Sequence, residues 1–263
     1  MKGTVRNMLL AIDVGNTQTV LGIYDNDKLV HMWRVATNVD HTSDELRIKL
    51  HTLMLAEGLE SSHIDGAILA SVVPALTHNW EKACCRSFGV DTLIVSAASS
   101  GHLINVDMKK FPELGADRVA DAVAAKSLYG DPVIVVDFGT ATNMEIIGKG
   151  GTFLGGIIAP GVESSMRSLF TRAALLRSVE LEDPGTAIGS STAECLKVGM
   201  VYGEAARVDG LVDRVFDQLG YEATVVATGG LAHRIAPHSR RITEINLELT
   251  LQGLRMIYNE LSR

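Results

Sequence analysis

The sequence predicts an α/β fold in which one domain is duplicated in tandem. Three observations lead there. Strand-like and helical runs follow one another as βββαβαβ through the first half, and the second half again opens with three strands before helices and a further strand. Ile12-Asp13-Val14-Gly15-Asn16-Thr17 and Val136-Asp137-Phe138-Gly139-Thr140-Ala141 each close a hydrophobic strand with Asp-x-Gly, at positions too far apart for a solenoid repeat and well spaced for a duplicated domain. At 263 residues the chain is also long for a single core, which rarely outgrows about 250 residues.

The elements follow in order. Met8–Val14 is a buried strand, and Thr19–Tyr24 and Leu29–Ala36 continue it as a meander that turns at Asp25-Asn26-Asp27-Lys28. Thr42 and Glu45 have capping-box spacing, and Leu46, Leu50, Leu53 and Met54 fall on one face of the helix that follows, which Gly58 ends. Strands at Ala67–Val73 and Thr92–Val95 flank a helix over Leu76–Phe88. A helix over Ala116–Tyr129 runs into Gly130-Asp131-Pro132. The second half reads as strands at 133–137, 143–147 and 152–158, helices at 163–169 and 192–219, a strand at 221–227, and a closing helix patterned by Leu249, Leu254, Ile257, Tyr258 and Leu261. The domain boundary is expected between Gly115 and Gly130, giving domains 1–118 and 119–263.

Composition narrows the function classes. With 24 Lys and Arg against 31 Asp and Glu, the net charge is −7, and no dense basic run exists to track a phosphate backbone. Nucleic acid is therefore not an expected partner. No apolar run reaches the ~18 residues that a membrane span needs, and the run before Asp13 is too short for a signal-peptide core. Cys84, Cys85 and Cys195 match neither a disulfide framework nor a zinc or redox spacing, so they read as reduced core or near-core thiols of a soluble cytoplasmic protein. The eight His are scattered and form no metal-binding pair.

The chemistry concentrates at the strand ends. An Asp that ends a buried strand and precedes Gly emerges where ligands bind in α/β proteins. Asn16, Thr17, Thr140 and Thr142 add amide, hydroxyl and N–H donors. Two such turns could hold a polyphosphate, their carboxylates holding hydrated Mg²⁺ or another cation rather than touching phosphate. A single Asp-x-Gly would read as a tight turn with a surface Asp; the matched pair favours phosphate. No Walker loop, kinase catalytic loop or dinucleotide fingerprint occurs. Gly155-Gly156 with Pro160-Gly161 reads equally as an anion cradle or as a strand-to-helix connection. Gly229-Gly230, after a strand, would let an adenine or ribose lie on the backbone, although such pairs are common. In Gly115-Ala116-Asp117-Arg118, Asp117 could accept a hydroxyl proton and Arg118 could pair with a carboxylate or phosphate; taken alone, the pair reads rather as an Asp favouring the helix dipole with Arg118 in a surface salt bridge. Thr192 reads as a helix cap with Glu194 near it.

Asp-Val-Gly-Asn-Thr, Gly-Ala-Asp-Arg, Asp-Phe-Gly-Thr-Ala-Thr, Gly-Gly-Ile-Ile-Ala-Pro-Gly and Thr-Gly-Gly-Leu-Ala occur in that order. Together, over nearly the whole chain from Met8 to Tyr258, they resemble type III pantothenate kinases, the family that includes the Bvg accessory factors. The resemblance implies duplicated ribonuclease-H-like domains of the actin-like ATPase fold flanking a central cleft, generally as a homodimer. It implies ATP-dependent phosphorylation of pantothenate to 4'-phosphopantothenate, the first step of coenzyme A biosynthesis.

By the same resemblance Asp13, Val14, Gly15, Asn16, Thr17, Gln18, Thr19 and Val20 hold the ATP phosphates, with Asp13 near Mg²⁺, and Thr140 contacts ATP. Asp117 is the general base, and Gly115, Ala116, Arg118 and Thr192 contact pantothenate, with Arg118 facing its carboxylate. Asp137 ligates K⁺ or NH₄⁺. Two departures stand out. The family's Thr-Thr-Phe-Asp is Thr142-Asn143-Met144-Glu145 here, and the Tyr that commonly precedes Gly-Ala-Asp-Arg is missing between Asn105 and Leu114. Such departures also suit a relative that binds nucleotide in a regulatory role, or a kinase for another small hydroxy acid.

Overall fold

The run Met8-Leu9-Leu10-Ala11-Ile12 has no polar residue to place on a solvent face, so it can only be a strand covered on both sides. In the computed structural model, which describes residues 8–172 and 179–262, it opens the first of two five-stranded mixed sheets. Strand β1 (Met8–Val14) pairs antiparallel with β2 (Gln18–Asp25), and β2 with β3 (Lys28–Ala36). Helix α1 (Ser43–Ala56) starts at Thr42, whose Oγ1 accepts from the Glu45 N–H while Glu45 Oε2 accepts from the Thr42 N–H at 2.8 Å, a closed capping box. It buries Leu46, Leu50 and Met54. Strand β4 (Ile64–Ser71) lies parallel to β1, helix α2 (Pro74–Phe88) begins with Pro and ends at left-handed Gly89, and β5 (Thr92–Ile94) runs parallel to β4. The sheet order is β3-β2-β1-β4-β5. Each fully buried Leu, Ile or Val contributes about 1.5–3 kcal/mol, and this core is built of them around Trp80.

A short helix α3 (Ala97–Ser100) leads toward α4 (Ala116–Tyr129). The second sheet then repeats the first. Strands β6 (Val133–Phe138), β7 (Ala141–Gly148) and β8 (Thr152–Pro160) form an antiparallel meander, followed by α5 (Val162–Arg172) and the 28-residue α6 (Thr192–Leu219). Strand β9 (Thr224–Thr228) lies parallel to β6, α7 (Ala232–Ile235) follows, and β10 (Glu244–Ile245) runs parallel to β9. The order β10-β9-β6-β7-β8 is the first sheet's order with each strand replaced by its counterpart. The expected duplication is thus realised strand for strand. The apolar face of α6, with Val201, Ala205, Val208 and Val212, covers this second core.

The chain divides into two compact units, one running to Ala124 and resuming at Leu249, the other Ala125–Glu248. The division falls inside α4, six residues past the expected 118. The closing helix α8 (Leu249–Leu261) belongs to the first unit, where the contiguous reading put it in the second. Its buried Leu249, Leu251, Leu254 and Ile257 fit against the first sheet, and Thr250 Oγ1 donates to buried Asp121 of α4 at 2.7 Å. A Cβ on Gly253 would collide with the Ala120 carbonyl, so α8 approaches α4 as closely as a backbone allows.

Other differences are local. Strand β4 begins three residues before the expected Ala67, where Ile64 and Gly66 pair with Met8 and Leu9 of β1, and Gly66 lies under the Tyr258 ring. Strand β9 begins at Thr224 rather than 221. The thiols are free, but only Cys84 is in the core, where burial pushes it up to about 12; Cys85 and Cys195 are exposed rather than near-core. Among the described residues no helix is long and apolar enough to cross a membrane.

Candidate active site

In the first unit, Asp13 is the penultimate residue of β1 and opens onto the turn to β2. The Gly15 N–H donates to the Gln18 carbonyl at 3.0 Å, and a Cβ on Gly15 would lie 2.9 Å from that same oxygen, so the turn closes only on glycine. Asn16, Thr17 and Gln18 are exposed at its tip, and Val20 is half-buried. The side chains of Val14 and Thr19 point inward, leaving only their backbones for a ligand. Thr37, just past β3, ties the turn together. Its Oγ1 donates to the Gly15 carbonyl at 2.8 Å and lies 2.9 Å from Thr19 Oγ1, and its N–H donates to the Thr17 carbonyl. Sequence reading missed Thr37; its one signal is a polar residue ending a strand.

Asp117 stands in the first turn of α4, and its Oδ1 accepts from the Arg118 N–H at 2.8 Å. Burial raises its carboxyl above the ordinary range, opposed by that hydrogen bond and by the Arg118 charge. Gly115 and Ala116 lead into this turn, with Gly115 against Val72 at the end of β4. The Val72 N–H in turn donates to the Val14 carbonyl at 3.0 Å. The sheet end carrying Asp13 and the helix start carrying Asp117 therefore meet at one residue, although 104 positions separate them in sequence.

In the second unit, Asp137 is again penultimate, in β6, opposite Asn143 of β7 and Thr228 of β9. Its carboxylate curls over the turn, with Oδ2 3.4 Å from where a Cβ on Gly139 would be. Gly229, at φ +91°, leaves the other side open; a Cβ there would strike Asp137 Oδ1. Gly230 has open space around it. The Thr140 carbonyl accepts from Ser164 Oγ at 2.7 Å and from the Gly161 N–H at 3.3 Å. This commits the Gly161 N–H to protein, and Gly155-Gly156 lie in β8 paired with β7, so this stretch is a strand-to-helix connection. Thr142 is buried, and its hydroxyl donates to Glu204 rather than facing a ligand. Thr192 is exposed as the first residue of α6; the cap is Ser191, whose Oγ accepts from the Glu194 N–H.

Among the described residues no three His, Cys, Asp or Glu side chains gather to hold a metal. A single strand-end carboxylate with room beside it suits Mg²⁺, which keeps several waters and takes its remaining oxygens from phosphate. Asp13 is such a strand-end carboxylate, partly exposed beside the turn. Asp137, between two glycines, offers carboxylate oxygens in a cradle that a side chain would fill, which suits a larger monovalent ion.

Two sheets of one topology, each presenting an Asp-Gly turn at the same strand end, define an α/β protein of the duplicated ribonuclease-H-like, actin-like ATPase fold. A structure described as a conserved putative Baf family transcriptional activator from Campylobacter jejuni is similar in fold, with a TM-score of 0.57 at 18% identity, covering 96% of this chain and 98% of that one. A family profile described as type III pantothenate kinase matches residues 9–214. Proteins named type III pantothenate kinase from Frankia alni and Halalkalibacterium halodurans are 44% and 42% identical, each covering 96% of this chain and 99% of the relative. The chain belongs to the type III pantothenate kinase family.

Proposed function

We propose that the chain transfers the γ-phosphoryl group of ATP to the hydroxyl of pantothenate, giving 4'-phosphopantothenate and ADP at the start of coenzyme A synthesis. The observation that carries this reading is Asp117, a partly desolvated carboxylate beside an arginine in the first turn of a helix that meets the Asp13 strand end at Val72.

Phosphoryl transfer asks for positioning and charge neutralisation more than for covalent chemistry. Asn16, Thr17 and Gln18 offer amide, hydroxyl and backbone donors to the phosphates, with the backbones of Val14, Gly15, Thr19 and Val20 behind them. Asp13 would hold hydrated Mg²⁺, which when bound would supply charge neutralisation for the phosphates. Thr140 contacts the nucleotide, the open backbone at Gly229-Gly230 accepts its flat ring, and Asp137 holds K⁺ or NH₄⁺. Arg118 pairs with the pantothenate carboxylate in the two-pronged geometry that guanidinium favours, while Gly115, Ala116 and Thr192 complete the acceptor's contacts. Asp117 then takes the hydroxyl proton; a raised pKa makes it a better base, and general-base assistance is worth roughly 10²–10⁴ in rate. The protein acts as a cytoplasmic homodimer and needs neither nucleic acid nor membrane.

The test is a coupled ADP-release assay with ATP, Mg²⁺ and K⁺, with and without pantothenate. ADP release that depends on pantothenate, and that falls by about 10²-fold or more in Asp117→Asn with no loss of melting temperature, is the expected result. Near-native turnover in Asp117→Asn removes Asp117 from the base role, and release indifferent to pantothenate refutes the substrate.

A further inference from the structure

A carboxylate in the middle of a helix ordinarily faces water. Glu204 does not: it is 6% exposed in the middle of α6. Its Oε1 takes two donors, Thr142 Oγ1 at 2.7 Å and Arg207 Nη2 at 2.6 Å. The same Arg207 nitrogen donates to the Pro160 carbonyl at 2.9 Å. Thr142 and Pro160 are not arbitrary anchors. Thr142 is the second residue of β7, directly after the Gly139-Thr140 turn. Pro160 is the last residue of β8, paired with Ala141, and Gly161 beyond it donates its N–H to the Thr140 carbonyl. Contact there is so close that a Cβ on Gly161 would lie 2.5 Å from the Gly139 carbonyl. One buried oxygen of α6 thus holds both flanks of this turn, one directly and one through Arg207.

We infer that Glu204 is a positioning residue for nucleotide binding: through Thr142 and Arg207 it fixes where the Gly139-Thr140 turn meets ATP, without touching ATP itself. The inference rests on the reading of Thr140 as a nucleotide contact. Loss of either flank lets the turn relax, and the cost falls on ATP and not on the acceptor. Burial enforces this, because an unpaired carboxylate or hydroxyl there costs more than the pair contributes.

The experiment uses the full chain with Glu204→Gln, Thr142→Val and Thr142→Ser. It reads the affinity for a non-hydrolysable ATP analogue by calorimetry, then KM for ATP and for pantothenate. Glu204→Gln and Thr142→Val are each expected to weaken analogue binding and raise KM for ATP about tenfold, the equivalent of one hydrogen bond to a charged group. KM for pantothenate stays within about twofold, and Thr142→Ser, which keeps the donor, restores wild-type affinity. Unchanged analogue affinity in Thr142→Val, or equal rises in both KM values, overturns the inference. Should Glu204→Gln fail to fold, Thr142→Val with its Ser rescue decides alone. A wild-type chain that binds the analogue but turns over no pantothenate sinks the proposed function only, since analogue affinity still reads the turn; a wild-type chain that binds no analogue sinks both.

Discussion

A Cβ placed on Gly115 would lie 2.5 Å from Asp117 Oδ1. The crowded atom is the end of a side chain rather than backbone, so an alanine here is accommodated by rotating the Asp117 carboxylate away from its place at the start of α4. Gly115→Ala should therefore lower kcat by about tenfold or more, since small misplacements of a catalytic group are costly, while the melting temperature changes little. Steady-state kinetics beside a thermal melt separate the two. An unchanged kcat would show that Asp117 tolerates displacement and does not act at the reacting hydroxyl.

The raised Asp117 pKa sets a pH dependence with a definite sign. The proposed base works only when deprotonated, so the acidic limb of the kcat/KM profile should fall at a pH above that of an ordinary aspartate. Stability runs the other way. A carboxyl whose folded pKa exceeds its unfolded pKa favours the folded state at low pH and loses that contribution as pH rises through the interval between the two values. Asp117→Asn should therefore match the wild type in stability at low pH and exceed it at neutral pH. Denaturant titrations at both pH values check this; a variant less stable at neutral pH contradicts it.

Thr37 stands to the first turn as Glu204 stands to the second. Its hydroxyl serves the Gly15 carbonyl and Thr19 at once. Thr37→Val keeps the shape and leaves the buried Thr19 hydroxyl without that partner, which should cost about 1–3 kcal/mol of stability. It should also raise KM for ATP, with KM for pantothenate unchanged. A rise in both constants would mean that Thr37 supports the whole unit rather than the turn.

These supporting residues mark where the sequence stops being legible. Asp13 and Asp137 could be read directly, because an Asp that ends an apolar strand before Gly is rare enough to notice and the pattern occurs twice. The strands themselves could be read for a related reason: Met8–Ile12 and Val133–Val136 have no polar face to show water. Glu204 could not be read, since a charge inside a long helix has the pattern of a solvated face, and only the fold brings Thr142 and Arg207 to it. The return of α8 to the first unit was equally hidden. Amphipathic spacing says that Leu249, Leu254 and Ile257 share a face, and nothing in it names the sheet they cover. The two-residue β10 has too few side chains to carry any period.

Gly229 ties backbone conformation to the Asp137 carboxylate, the group proposed to hold the monovalent cation. At φ +91° an alanine is strained, and its Cβ would also strike the Asp137 carboxylate and crowd the Phe138 backbone at 2.7 Å. The carboxylate can swing aside; the Phe138 backbone cannot, so the strand end itself must shift. Gly229→Ala should then show two separable effects: a loss of about 1–3 kcal/mol in stability from the strained residue, and a higher K⁺ or NH₄⁺ concentration for half-maximal activity. Asp137→Asn carries the second effect without the first, because it keeps the side-chain volume and leaves Gly229 in place. Titrating K⁺ against activity for both variants, with choline chloride holding ionic strength constant, distinguishes the two. If neither variant changes the K⁺ requirement, Asp137 does not hold the cation, and the role of Gly229 is confined to closing the strand end.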